Sequence, residues 1–231
     1  MIFRQLFERE SSTYTYLIGC EHTREAVFID TVKSELDNYL MLLEQLNLKL
    51  TCVLDTHTHA DHITAAGALR TQTGALTLLG EQAHSFCVSK MLHDGDAINV
   101  GKIIINALHT PGHTNDSYSF IIEDQNQTYA FTGDTLLIRG TGRTDFQNGD
   151  PAQQYESLTQ KLLRLPDDTW VYPGHDYKGW TRSTIGEEKA HNPRLQAENV
   201  TAYVAIMTNL RLPSPALMDI AVPANKACGN T

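Results

Sequence analysis

Three imidazoles and a carboxylate fall within six residues in the run His57-Thr58-His59-Ala60-Asp61-His62. Imidazole nitrogens and carboxylate oxygens are the donors that first-row divalent ions take, so the run reads as a metal site. It follows an apolar stretch, residues 50–54, expected to be a buried strand. On extended backbone, residues two apart point the same way, so His57 and His59 can address one pocket. Asp61 and His62 are expected to enter a helix over residues 60–73 and to approach that pocket from its side. Packing accounts for a lone histidine. It does not account for three with an aspartate in a loop after an apolar strand.

Three shorter pieces repeat the pattern: Thr110-Pro111-Gly112-His113-Thr114, Thr132-Gly133-Asp134, and Pro173-Gly174-His175-Asp176. Each follows a predicted strand and sets a His or Asp beside a glycine that lets the backbone turn tightly. Together with the first run they put five histidines and two aspartates on four strand ends. Singly each is a polar turn; jointly they are a metal shell.

The elements that must position this shell alternate along the chain. Strands are expected over residues 14–18, 26–30, 50–54 and 76–79, then over 97–100, 102–108, 118–122, 129–132 and 170–172. Leu36, Leu40, Leu43 and Leu46 mark a helix over 33–48, and Gly74 closes the one over 60–73. A further helix over 151–165 has Pro151 at its start and Pro166 beyond its end. Strands in two batches, each followed by helices, predict an α/β fold of αβ/βα sandwich type: two mixed sheets flanked by helices, in a single domain over 1–231.

Composition narrows the partners. Of 231 residues, 41% are hydrophobic and 19% charged, and the formal net charge is −9. That charge excludes wholesale capture of nucleic acid or an anionic membrane, though a few arginines in one cleft can still attract a small anion. No apolar run approaches the roughly 18 residues of a membrane span. Cys20, Cys52, Cys87 and Cys228 form no C-x-x-C pair. With no apolar leader after Met1, they are expected to be reduced thiols in a cytoplasmic protein. The apolar first strands and last segment make a homo-oligomer the expected state.

The layout His57, His59, Asp61, His62, then His113, Asp134 and His175, resembles the metallo-β-lactamase superfamily, which implies the αβ/βα sandwich with a metal site at one edge. It leaves the chemistry open. His57, His59 and His113 could hold one zinc and Asp61, His62 and His175 a second, with Asp134 bridging, to activate hydroxide for hydrolysis. Alternatively His57, His113 and Asp134 alone present a two-histidine, one-carboxylate face to Fe(II).

Outside the shell, the segment from Thr132 to Gln147, Tyr172-Pro173-Gly174-His175-Asp176-Tyr177, Asn192-Pro193-Arg194-Leu195 and Ala221-Val222-Pro223-Ala224-Asn225 are similar to the persulfide dioxygenases over essentially the whole chain. That resemblance implies a non-haem iron enzyme oxidising glutathione persulfide with O2 and water to sulfite and glutathione. It implies one Fe(II) per chain on His57, His113 and Asp134. His59, Asp61, His62 and His175 become an outer set that orients ligands and waters, with no catalytic residue beyond the metal site. A dinuclear zinc thioester hydrolase of the glyoxalase II type is the alternative.

For the carboxylates of glutathione, Arg143 and Arg139 in the glycine-rich loop after Asp134 are the expected clamps. The structural alternative pairs one of them with Asp145 or Asp150. Tyr177 is expected to meet substrate, while Arg194 reads as the start of a helix. Where this family sometimes has a cysteine, between Gly140 and Gly142, the chain has Thr141, so no redox role is expected there.

Overall fold

The computed structural model describes residues 1–213 and 217–230. One sheet is built in chain order from β1 (Ile2–Glu8), β2 (Thr13–Gly19), β3 (Glu25–Ile29), β4 (Lys49–Leu54), β5 (Leu76–Gly80) and β6 (Lys90–Leu92). The other holds β7 (Ala97–Val100), β8 (Ile103–His109), β9 (Tyr118–Asp124), β10 (Gln127–Gly133), β11 (Trp170–Pro173) and β12 (Ser183–Thr184). The helices are α1 (Leu36–Gln45), α2 (Ala66–Thr73), α3 (Pro151–Glu156), α4 (Ile185–His191), α5 (Val200–Thr208) and α6 (Met218–Lys226).

Strand periodicity decides which layer each side chain joins. In β3, Val27 and Ile29 face the inter-sheet core with Tyr16, Ile105, Phe120 and Phe131. Ala26 and Phe28 face the other way, onto Tyr39 and Leu43 of α1 and Leu69 of α2. Outside the second sheet, Val171 packs with Leu158, Ile185 and Tyr203. The result is the expected αβ/βα sandwich of two mixed sheets.

Strand direction then gathers the shell. β3 and β4 are parallel, so Asp30 and the His57 run emerge at the same edge. In the second sheet β8 and β10 share a direction, each antiparallel to β9 between them, and β11 is parallel to β10. The loops bearing His113, Asp134 and His175 therefore open at one edge too. The sheets are tied there by backbone bonds, Tyr118 N–H to the Thr56 carbonyl at 2.7 Å and Tyr14 N–H to the Gly174 carbonyl at 2.8 Å.

Three expectations need correction. The helix after the His run begins only at Ala66, and Asp61 and His62 sit in a turn. Their side chains are bonded to each other, and the His59 and His62 carbonyls accept from Asn225, so no helical turn forms. β1, β6 and β12 were not expected: the polar, half-buried face of β1 hides its alternation, and β6 and β12 are only three and two residues long. The four cysteines are not all reduced thiols: Cys87 and Cys228 are joined in a disulfide, and only the buried Cys20 and Cys52 are free. The pairing spans 141 residues, a distance over which spacing carries no signal. No helix among the described residues is long and apolar enough to cross a membrane.

Candidate metal centre

His57, His113 and Asp134 each offer one ligand atom, all within 4.8 Å of one another. The other polar atom of each is occupied. Thr56 Oγ1 donates to Asp30 Oδ2 at 3.0 Å, so at 3.0 Å it accepts from His57 Nδ1–H, leaving the His57 Nε2 lone pair bare. The Arg143 carbonyl accepts from His113 Nδ1–H at 2.7 Å, which bares Nε2 of that ring as well. Asp134 Oδ1 is bonded to His175 Nδ1 at 2.7 Å, and its Oδ2 faces His113 Nε2 at 3.5 Å. Fixing one nitrogen of a ligand histidine sets the tautomer and aim of the other.

Electrostatics agree with this assignment. Burial, with His59 and His113 nearby, holds His57 well below the usual histidine range, so it stays neutral as a ligand must. Burial opposes ionisation of Asp134, but the charge and hydrogen bond of His175 outweigh it and hold the carboxyl well below the usual range. Two glycines make the approach possible. A Cβ on Gly133 would meet Thr56 Oγ1 at 2.6 Å, and one on Gly142 would meet His113 Nδ1 at 2.7 Å. The donor set fits a divalent ion of the iron or zinc kind.

The remaining shell residues bond mainly to each other. His175 Nε2 lies 2.8 Å from Asp61 Oδ2 while its Nδ1 holds Asp134, so one ring bridges two carboxylates. Burial lowers the pKa of that imidazole, yet the two carboxylates outweigh it and push it well above the usual value, so His175 is an imidazolium. Asp61 Oδ2 also takes His62 Nδ1 at 2.9 Å, and Thr13 Oγ1 stands 3.3 Å away. His59 Nε2 pairs with the buried Asp30 at 3.0 Å. Only His59 Nδ1 and His62 Nε2 are left buried without a partner, and with Asp61 they form a second group able to hold an ion.

Asp30 and Thr13 were missed from sequence. Asp30 had a signal, since it follows an apolar run as the named Asp and His residues follow theirs. Thr13 had none.

A cavity of about 470 Å³ opens above His57, His113 and Asp134. Arg139, Arg143, Tyr177 and Arg194 all line it. Arg143 makes a two-point bond to Asp145, at 2.6 and 2.8 Å, donates to the Pro213 carbonyl, and lies over the Phe146 ring. Arg139 is more fully engaged, by the buried Glu188, by Glu187 and by Ser183, which anchors the loop to α4. Tyr177 is 72% exposed and its ring lies parallel to that of His175. Arg194 donates to the Thr141 carbonyl and hydroxyl, and Thr141 also meets the Tyr203 hydroxyl at 3.1 Å.

The chain matches the metallo-beta-lactamase superfamily over residues 9–87 and 88–175. It is 44% identical to the mouse protein named persulfide dioxygenase ETHE1, mitochondrial, over 99% of this chain and 89% of that one. The human protein of the same name is likewise 44% identical, with the same coverage. The chain belongs to the persulfide dioxygenase family of the metallo-β-lactamase superfamily. A crystal structure of ETHE1 from Myxococcus xanthus superposes with a TM-score of 0.96 at 54% identity, covering 100% of both chains. The likeness to these family members extends past the metal shell through the loop bearing Arg139 and Arg143 to α6.

Proposed function

We propose that residues 1–231 act as one unit, a mononuclear non-haem Fe(II) dioxygenase that oxidises glutathione persulfide with O2 and water to sulfite and glutathione. The observation that carries this reading is the His57, His113, Asp134 face, with each residue's other polar atom already bonded, opening into a cavity lined by cations. The names of the family members support the reaction. Iron, when bound, supplies the electronic route by which O2 reacts with a closed-shell sulfur anion.

The chain's own residues bind and orient. Asp134, ionised through His175, supplies the charge that matches a divalent ion. The Phe146 ring and the Leu137, Ile138 and Leu212 side chains make an apolar wall around the persulfide end. In the proposal Arg143 takes a glutathione carboxylate in place of Asp145, and Tyr177 lies along the substrate. Arg139 keeps its acidic partners and holds the loop. Arg143→Ala is expected to raise KM about ten-fold with iron content unchanged, the loss of one charged hydrogen-bond pair. Asp145→Asn, which removes a competitor from Arg143, should lower KM by no more than about five-fold, the scale of an exposed pair.

One observation favours a second reading. In a dinuclear thioester hydrolase the unpartnered His59 Nδ1 would join His57 and His113 on the first zinc, and the unpartnered His62 Nε2 would join Asp61 and His175 on the second. Metal analysis with an oxygen electrode separates the two. About one iron per chain and O2 uptake on adding glutathione persulfide supports the dioxygenase; two zincs and hydrolysis of a glutathione thioester without O2 uptake refutes it. A cytoplasmic homo-oligomer belongs to the same proposal; the free Cys20 and Cys52 suit a reducing compartment, while the Cys87–Cys228 disulfide argues against one. Sedimentation reads the assembly, and alkylation in intact cells reads whether Cys87 and Cys228 are bonded there.

A further inference from the structure

Asn225 lies on α6, 163 residues from His62, with 5% of its surface exposed. Its side-chain amide makes three hydrogen bonds to the backbone of the histidine turn. Nδ2 donates to the His59 carbonyl at 2.9 Å and the His62 carbonyl at 2.8 Å, and Oδ1 accepts from Thr64 N–H at 2.9 Å. Carbonyls only accept and a backbone N–H only donates, so the orientation of the amide is fixed by its partners. These bonds replace the helical bonds that the 59–64 segment does not make.

We infer that Asn225 is a positioning residue for the metal centre: it holds the turn after His57 in the conformation that aims the histidines. This rests on the reading that the run holds iron. The turn has few other backbone restraints. Thr58 is held by Asp116 through its N–H at 2.9 Å and its hydroxyl at 2.6 Å, and Gln147 donates to the Thr58 carbonyl. Between His59 and Thr64 the backbone is held by Asn225 at three points and by Lys33, whose N–H donates to the Ile63 carbonyl at 2.7 Å, while Thr64 Oγ1 donates to Asp55. The helix that carries it is itself moored to the first sheet's helices and loops. The Cys228 carbonyl accepts from Gly67 N–H at 2.8 Å, the Lys226 carbonyl from Ser85 Oγ at 2.8 Å, and Cys228 is bonded to Cys87. A Cβ on Gly67 would stand 2.5 Å from that Cys228 carbonyl, so only glycine permits the seat.

The test is release of Fe(II) from the loaded protein to a coloured chelator, below the unfolding temperature. Asn225→Asp keeps the size and the acceptor for Thr64 but loses both donors and faces two carbonyls with a carboxylate; Asn225→Ala loses all three bonds. Both are expected to release Fe(II) at least about ten-fold faster than wild type, the lower end for residues that orient a ligand. Leu158→Ala, a cavity in the remote cluster around Tyr203, is the stability control: it should lower Tm by at least as much and leave the release rate unchanged. Asn225→Asp decides alone if Asn225→Ala does not fold. Wild-type release from Asn225→Asp, or equally fast release from Leu158→Ala, overturns the inference. Failure of wild type to take up Fe(II) would instead refute the iron reading.

Discussion

Two groups of histidine and aspartate lie side by side at the open edge of the sandwich, and they differ in what their atoms already do. In His57, His113 and Asp134, every atom away from the cavity is bonded and every atom towards it is bare. In His59, Asp61, His62 and His175, the atoms are mostly turned on one another, around the two carboxylates that His175 bridges. The residue types are the same in both groups. What separates the two groups is where the bare nitrogens open: those of His57 and His113 belong to residues lining the cavity, whereas His59 Nδ1 and His62 Nε2 are equally unpartnered but buried in residues that line no part of it.

The comparison is broken most forcefully at the first group. His57→Ala and Asp134→Ala are each expected to abolish iron retention and O2 uptake, by more than the roughly 100-fold ceiling for a residue that only orients a ligand. Metal analysis after gel filtration reads the first effect and an oxygen electrode the second. Retention of stoichiometric iron by either variant would remove that residue from the face.

His175 sharpens the contrast, because its role is electrostatic. It is 2% exposed and neutralises Asp61 and Asp134 together. In His175→Ala, Asp134 loses the imidazolium bonded to its Oδ1 while Asp61 keeps only His62 of its two imidazole partners, and breaking a buried ion pair costs about 3–5 kcal/mol. Urea unfolding of the metal-free protein should show a loss of that size, and iron affinity should fall roughly 10- to 100-fold. A stability loss under about 1 kcal/mol, the scale of an exposed pair, would mean that the bridge is not a buried charge pair.

Much of this arrangement is legible from residues alone, and the limits have physical causes. The continuous apolar run of 26–29 marks a strand because both its faces are covered, one by the inter-sheet core and the other by α1 and α2. The polar residue after each apolar strand marks the site, because parallel strands end together. Asp30 obeys the same rule, though no histidine accompanies it in the chain. The false helix over 60–65 has a different origin. The apolar and small residues there suit a helix, but Asn225, 161 residues from Thr64, satisfies the turn's backbone groups in another geometry. Nothing local encodes that competition. The Cys87–Cys228 bond escapes for the same reason, its partners meeting only once α6 is docked on α2.

The smallest effect is expected at His62, and it tests the contrast most directly. Its Nδ1 shares Asp61 Oδ2 with His175, while its Nε2 is buried without a partner. If the second group only supports the first, His62→Ala removes one of several contacts to Asp61 and leaves no new unpaired charge, since His175 remains bonded to that carboxylate. Iron content should stay at about one per chain, with affinity reduced by less than about ten-fold, below the usual range for orienting residues. His59→Ala should cost more, because it leaves the buried Asp30 carboxylate with only its Thr56 hydrogen bonds, yet it too should keep the iron. A unit fall in metal per chain in His62→Ala, from two to one, would show that the bare Nε2 was a ligand. The two groups would then be two halves of one dinuclear centre, and the hydrolase reading would replace the dioxygenase.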